Sequence, residues 1–393
     1  MKIVLFVTVF LGAAFPTGAA EKFMQERYNV GGYINVGPTT PYRFASHPNP
    51  RALPAASDQK LNLHGNAKAI ANAKTFMKKF PETTGMMLID HGKIIFEAYQ
   101  GRGNEFSEFY GMSISKSMAS LAVGKALCNG VLKSLNTLAG KFVPELKINR
   151  YGESTIRQLL MMSSGAYLSI RSGQPKFTDG IGKIRRTGKP YKTGPWPLRL
   201  GQVTVSDLLW GPAWAKIKNK NHAKPGQIFA YKSGDTLALS KVIERASGMS
   251  LAAYFDKYIW QEVRPGRAGH WETDLDGTTR GNAGFQASLK DWGRIAVWLS
   301  AQLKKPGCFG DYRRDATSTQ IKNNRRGSGF DGYGYQWWTD HRNTPGFWGK
   351  GYAGQELGIN PETEKILIKF GYRTDTNVAI SISRLFREWH KTN

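Results

Sequence analysis

Two apolar runs, 85–90 (Gly-Met-Met-Leu-Ile-Asp) and 93–99 (Lys-Ile-Ile-Phe-Glu-Ala-Tyr), flank His91-Gly92 in the pattern of a β-hairpin. Ahead of them, 66–80 has helical composition. At the far end Tyr352 to Ile359, a turn at Asn360-Pro361, Lys365 to Phe370 and Asn377 to Ile382 predict further strands, with a short terminal helix from Ser383. Between these ends the period turns helical. Helix formers from Met118 to Leu127 stop at Asn129-Gly130, Thr155 to Met162 follows a capping serine, and Val205 to Trp210 is a short piece. Asp235 to Ala246 ends at Ser247-Gly248, and Ala287 to Leu303 carries an apolar stripe of Leu289, Trp292, Ile295, Ala296 and Leu299.

Strands at both ends with helices between them predict an α/β (α+β) fold. One antiparallel sheet is built from both chain ends and flanked by helices, and a mostly helical lobe, roughly 121–283, is inserted. The domain runs over 65–385, preceded by an extended segment at 21–64 rich in Gly, Pro and Asn and followed by a tail at 386–393. Residues 1–20 have the three parts of a cleavable export signal: Lys2, an apolar run from Ile3 to Phe15, and small residues up to Ala20. The run is short for a bilayer span, and no second candidate follows, so cleavage near Ala20 would leave a periplasmic or secreted protein; a retained N-terminal anchor is the alternative.

Charge changes the picture more than composition does. Lys and Arg total 55 against 29 Asp and Glu, a balance that draws a protein towards polyanions. The cations concentrate at 171–224, including Arg171, Lys176, Arg185, Arg186, Lys216 and Lys218, with Gly and Pro between them, as in a long irregular insertion. That insertion suits an anionic envelope surface. Trp196, Trp210 and Trp214 lie among the charges, and basic surfaces with aromatic residues can bind single-stranded nucleic acid. An exported protein rarely has that job, so inward-facing tryptophans on a solvated loop are expected, and no nucleic-acid partner. Cys128 and Cys308 are the only cysteines; export would permit a bridge, but one pair 180 residues apart gives no framework and does not predict one. The seven histidines form no zinc-ligand spacing, no Gly-x-Ser-x-Gly elbow occurs, and no metal or cofactor is expected.

The chemistry is suggested by Ser113-Ile114-Ser115-Lys116. Ser113 follows Gly111-Met112 and would open the helix that reaches Leu127, so Lys116 would stand one turn above its hydroxyl. A serine must lose its proton as it attacks, and an amine in a dry pocket or beside a second cation can take it. The helix N-terminus would add N–H groups near a developing oxyanion. A second Ser-x-x-Lys, Ser57 to Lys60, sits in a stretch without helical period and reads as solvated linker. Taken singly, Ser113 could be a cap, Lys116 a solvated lysine and Tyr231 a core tyrosine.

With these residues laid out, the chain resembles the serine β-lactamase and penicillin-binding-protein superfamily. Within it, the likeness is to the class C-like branch of esterases, D-amino-acid peptidases and 6-aminohexanoate-dimer hydrolases. Ser113 to Ser117 resembles the first motif, and Ile156 to Gly165 the helix and Ser-Gly loop. Pro225-Gly226, Phe229, Tyr231 and Ser233 resemble the second motif; Gly284 to Asp291 and Gly332 to Trp338 resemble later landmarks. At the third motif, where the family carries Lys-Thr-Gly or His-x-Gly on a strand, this chain reads Tyr352-Ala353-Gly354-Gln355. Lys192-Thr193-Gly194 precedes the tyrosine motif and reads as a decoy; Lys232-Ser233-Gly234 overlaps that motif and is discounted likewise.

The resemblance implies an acyl-enzyme on Ser113, with Lys116 and Tyr231 as the acid–base pair. The N–H groups of Ser113 and Gln355 would hold the oxyanion, and Ser233 would bond Lys116. Gly354, Tyr352 and Tyr167 would border the substrate. Tyr352 cannot supply the third-motif cation, whereas Lys350, two residues back on the same side of a strand, could compensate. A small ester or short amide is therefore expected as substrate before a β-lactam or a D-amino-acid peptide. From another class, a non-catalytic binder of an anionic envelope polymer would suit the basic surface. Adjacent Trp337 and Trp338 would pack on opposite faces of their strand, with one of them in the core.

Overall fold

The structure, a computed structural model, describes residues 41–57, 65–166, 223–323, 329–342, 344–372 and 376–391, with 168–171, 174–177, 181–183, 190–192, 198 and 203–211 from the basic segment. The expected export signal at 1–20, Lys60, Tyr167, Trp196, Trp214 and most of the basic insertion lie outside the described residues.

The hairpin forms where the pattern places it. β2 (Thr83–Asp90) and β3 (Lys93–Tyr99) pair in register Asp90 to Lys93, and His91 (φ 47°) and Gly92 (φ 73°) make the two-residue turn. β2 is buried along its whole length, which explains its near-continuous apolar sequence: Met87 and Ile89 face one core, Met86 and Leu88 the other. Its other edge pairs with β16 (Lys365–Gly371), so the N-terminal hairpin closes on strands from the far end of the chain.

That antiparallel sheet has eight strands. Its order is β11 (Ile321–Lys322), β12 (Phe330–Tyr333), β13 (Trp338–His341), β14 (Phe347–Gly351), β15 (Gln355–Asn360), β16, β2, β3. One face is covered by helix α1 (Asn66–Lys79) and by the last helix, Thr376–His390, through Ala73, Phe76, Ile382, Phe386 and Trp389. The terminal helix corrects the strand expected at 377–382. Val-Ala-Ile-Ser-Ile-Ser alternates like a strand, but Val378, Ile382, Leu385, Phe386 and Trp389 recur at helical spacing and fill the core together.

The other face packs on α2 (Ile114–Cys128) and α5 (Leu289–Leu303); α4 (Ser233–Ser247) packs on α2, and α3 (Ile156–Leu160) on α4. α2 is apolar and buried almost all round, as a central helix must be. α3 is capped by Thr155 in a capping box with Gln158, one residue later than the expected serine. α5 begins after its Ser288 cap rather than at Ala287, which belongs to a strand. Both adjacent tryptophans are core, Trp337 on the α2 side and Trp338 on the terminal-helix side.

A second antiparallel sheet joins segments far apart in the chain, in the order β1 (Tyr42–Phe44), β9 (Gly269–Trp271), β10 (Phe285–Ser288), β4 (Glu108–Tyr110). Phe44, Trp271 and Phe285 of these strands pack their rings with Phe255 and Trp260. In the basic segment the backbone forms two hairpins, β5 (Leu168–Arg171) with β6 (Gln174–Phe177) and β7 (Ile181–Lys183) with β8 (Pro190–Lys192). Cys128, ending α2, is bridged to Cys308, which opens α6 (Cys308–Thr317), with the Cα atoms 5.7 Å apart. Chain separation alone gave no sign of this bridge. No helix among the described residues is long and apolar enough to cross a membrane.

Candidate active site

Ser113 is aimed by the small sheet. β4 delivers the chain to Gly111, whose N–H donates to the Phe285 carbonyl at 2.9 Å and whose missing side chain leaves room for Trp292; a Cβ there would lie 2.7 Å from the indole. Met112 then takes a left-handed conformation (φ 47°), a strained state for a non-glycine residue that is concentrated at functional turns. The turn places Ser113 at the head of α2, and its side chain makes no capping bond. Instead, Ser113 Oγ accepts a hydrogen bond from Lys116 Nζ at 2.9 Å, one helical turn on, as the spacing predicts.

Lys116 is 1 % exposed. Its ammonium also donates to the backbone carbonyl of Asn282 at 2.7 Å, and these two bonds replace the expected one to Ser233, which heads α4. Burial, and then the nearby positive charge of Arg280, hold the Lys116 amine at about 7, far below the ordinary lysine range. Arg280 is itself buried, paired with Glu272, and Glu272 accepts from the Tyr110 hydroxyl at 2.8 Å. The small sheet thus places both the hydroxyl and the cation that acts on the amine.

Tyr231 enters from the second motif. Its ring centroid is 5.2 Å from Lys116 Nζ, and the ring stacks on Trp338 at 5.2 Å with Tyr333 edge-on. Next to it, Lys232 is buried and forms an ion pair with Asp235 at 2.6 Å. Burial pushes the Lys232 amine down and Asp235 pulls it back. Asp235 also accepts from the Ser164 hydroxyl at 2.8 Å and the Ser164 N–H at 3.2 Å, so it ties the Tyr231 segment to the Ser-Gly loop.

The third-motif region is a hairpin turn, not the strand expected from Tyr352 onward. β14 ends at Gly351, opposite Gln355, and Tyr352, Ala353 and Gly354 form the turn between them, with Ala353 (φ 63°) and Gly354 (φ 80°) left-handed. Gly351 abuts the nucleophile turn, since a Cβ on it would lie 2.5 Å from the Gly111 carbonyl oxygen. Tyr352 is 49 % exposed. Gln355 is fully buried, its side-chain amide donating to the carbonyls of Tyr352 (2.8 Å) and Gly371 (2.6 Å). Lys350 does not compensate for the missing cation. Its ammonium is held by Glu356 at 2.6 and 2.7 Å and lies over Phe330 and Trp348. Its neighbour Gly349 faces Ile114 and Ser117 of α2, so Lys350 points to the opposite side of the sheet.

Three residues at the site were not singled out from the sequence. Arg280 and Asn282 lie in Thr-Thr-Arg-Gly-Asn, which has no period to read; the loop matters only because β9 and β10 carry it to Lys116. Gln336, left-handed at φ 66°, accepts from Ser117 Oγ through its carbonyl at 2.7 Å and from Thr236 through its side chain at 2.8 Å, and donates to Leu160 O at 2.8 Å. One glutamine therefore ties α2, α3 and α4 together. Its place inside the Gly332–Trp338 landmark was the available signal.

Comparison with known proteins identifies the family. The sequence profile of the Beta-lactamase family matches residues 73–382. A 6-aminohexanoate-dimer hydrolase of Paenarthrobacter ureafaciens is 21 % identical over 397 residues, covering 96 % of this chain and 92 % of the relative. Among solved structures, a penicillin-binding protein from Bacillus halodurans matches with TM-score 0.59 and 16 % identity, over 80 % of this chain and 99 % of its own. EstCE1, a hydrolase with promiscuous acyltransferase activity, matches with TM-score 0.58 and 15 % identity, over 81 % and 99 %. At these identities the structural likenesses establish the fold alone, whereas the profile spans most of the chain, and the chain belongs to the Beta-lactamase family, a family of serine hydrolases.

Proposed function

We propose that this protein hydrolyses an ester or a short amide through an acyl-enzyme on Ser113, with Lys116 and Tyr231 as the acid–base pair. The observation that carries the reading is a buried amine, 2.9 Å from the serine hydroxyl, with no carboxylate partner among the described residues. Held at about 7, Lys116 is neutral in a large share of molecules at neutral pH and can take the Ser113 proton as the hydroxyl attacks the substrate carbonyl. The tetrahedral oxyanion would be met by the Ser113 N–H and by the N–H groups of the Tyr352–Gln355 turn, each such donor contributing roughly 3 to 4 kcal/mol. Tyr231, beside Lys116, would pass the proton to the leaving group, and the pair would then activate the water that releases the acid. An exposed tyrosine at the turn and a Lys350 already engaged by Glu356 favour a neutral ester or amide over a substrate carrying a carboxylate there.

The test is labelling with a fluorophosphonate together with a substrate panel of short-chain p-nitrophenyl esters, linear amide dimers, D-amino-acid amides and a chromogenic cephalosporin. Ser113→Ala should lose labelling and at least about 10⁴-fold in turnover. A wild-type protein that neither labels nor turns over any member of the panel would leave a non-catalytic binder as the reading.

We also propose export and a docking role for the basic surface, on the charge balance of 55 Lys and Arg against 29 acids. Retention on an anionic polymer resin should fall steeply as salt rises. Salt-independent retention would remove that part of the proposal.

A further inference from the structure

Beneath the turn that follows β14, two buried side chains reach up from the central strands. Lys369 of β16, 1 % exposed, donates from Nζ to the Gly354 carbonyl at 2.9 Å. Gln355 donates to the Tyr352 carbonyl at 2.8 Å, and its own amide oxygen accepts from the Gly371 N–H at 3.0 Å. The turn therefore has carbonyls pinned at both ends, and between them Ala353 adopts a left-handed backbone that an alanine keeps only when its surroundings enforce it. In a planar trans peptide the C=O and N–H point opposite ways. Pinning the Tyr352 and Gly354 carbonyls therefore fixes the N–H groups of Ala353 and Gln355, each on the side of its peptide opposite the pin. The same hairpin touches the nucleophile turn through Gly351 and Gly111.

A lysine in the middle of a buried sheet is costly where an apolar residue would pack well. Lys369 stands directly opposite Glu356 in the ladder, and Glu356 stands opposite Lys350, so all three share the sheet face away from α2. From that face the Lys369 ammonium holds the Gly354 carbonyl.

We propose that Lys369 and Gln355 are positioning residues that lock the Tyr352–Gly354 turn, so that its N–H groups stay fixed beside the carbonyl attacked by Ser113. The proposal rests on the hydrolase reading above. It is tested in the full chain with Lys369→Met, Lys369→Arg and Gln355→Met, measuring kcat and KM for p-nitrophenyl butyrate, the rate of fluorophosphonate labelling, and the melting temperature. Lys369→Met should lower kcat about 30-fold with KM within about twofold, the pattern of a lost transition-state interaction, and slow labelling in proportion. Lys369→Arg, which keeps a donor, should recover kcat to within about fivefold of wild type.

A folded Lys369→Met with kcat within about threefold of wild type overturns the proposal, as does a change confined to KM or an arginine variant no better than methionine. If Lys369→Met does not fold, Gln355→Met carries the same test through the other carbonyl. Failure of both to fold assigns the pair to the fold rather than the site and also overturns it. Absence of Ser113-dependent turnover in the wild type would instead overturn the hydrolase reading, and this inference with it.

Discussion

Two lysines are buried within a few residues of the proposed chemistry, and they live in opposite circumstances. Lys116 meets a hydroxyl and a backbone carbonyl, and Arg280 acts on it as a like charge. Lys232 meets Asp235 at 2.6 Å, and that carboxylate is itself held by Ser164. Burial lowers the pKa of both amines. The difference is the counter-charge: with a carboxylate alongside, a buried ammonium serves as a structural cation, and without one it becomes a group that gives up its proton near neutrality. Both lysines stand beside a serine at the start of a helix, and they are set apart by Asp235, three residues on from Lys232, and by Arg280 and Asn282, which reach Lys116 from a distant loop.

Swapping each lysine for methionine should break the comparison most sharply, because the two effects are expected to cross. Lys116→Met removes the proposed proton acceptor and should cost about 10³-fold or more in kcat. Folding stability should hold or rise, since an uncompensated buried amine is replaced by an apolar chain. Lys232→Met leaves Asp235 buried without its cation and should cost about 3 to 5 kcal/mol in denaturant unfolding, with less than about tenfold loss of kcat per folded molecule. Replacing the pair together, Lys232→Met with Asp235→Leu, should recover most of that stability. Equal stability losses in the two single variants would erase the distinction.

How far this contrast could be read beforehand follows from what each residue depends on. The Ser113 to Lys116 spacing is local, fixed by 3.6 residues per turn, and it was legible. The β2–β3 hairpin was legible for the same reason, with a two-residue turn between two apolar runs. Arg280 and Asn282 were not, because they act through a sheet whose strands are three or four residues long and come from four separated stretches. The lysine discounted in Lys232-Ser233-Gly234 proves to be a buried ion-pair partner, which no triplet reveals without Asp235 and Ser164 in place. The terminal helix was misread because alternation and helical spacing coexist over Val378 to Ile382, and only the sheet face waiting to be covered favours the helix. The Cys128–Cys308 bridge likewise depends on α2 and α6 meeting in space.

That bridge offers a smaller test. It closes a long loop and is remote from Ser113, at the opposite end of α2. Replacing both cysteines by serine should lower stability by about 2 to 4 kcal/mol and leave kcat within about threefold, read by unfolding and by ester turnover.

The finest distinction concerns pH. For Lys116 the proton is lost from the folded protein at about 7, whereas the unfolded chain keeps it up to the ordinary lysine range. Turnover should therefore rise with pH through about 7 as the neutral amine accumulates. Between that point and the ordinary lysine range the unfolded chain binds the extra proton, so stability from this group should also rise with pH. Arg280→Gln removes the like charge while leaving the larger cause, burial, in place, so the acidic limb of the kcat/KM profile should move to higher pH but remain well below an ordinary lysine. Lys232→Met, which touches neither cause directly, should leave that limb where it is. An acidic limb unmoved by Arg280→Gln would assign it to some group other than Lys116, and the contrast between the two lysines would then concern folding alone.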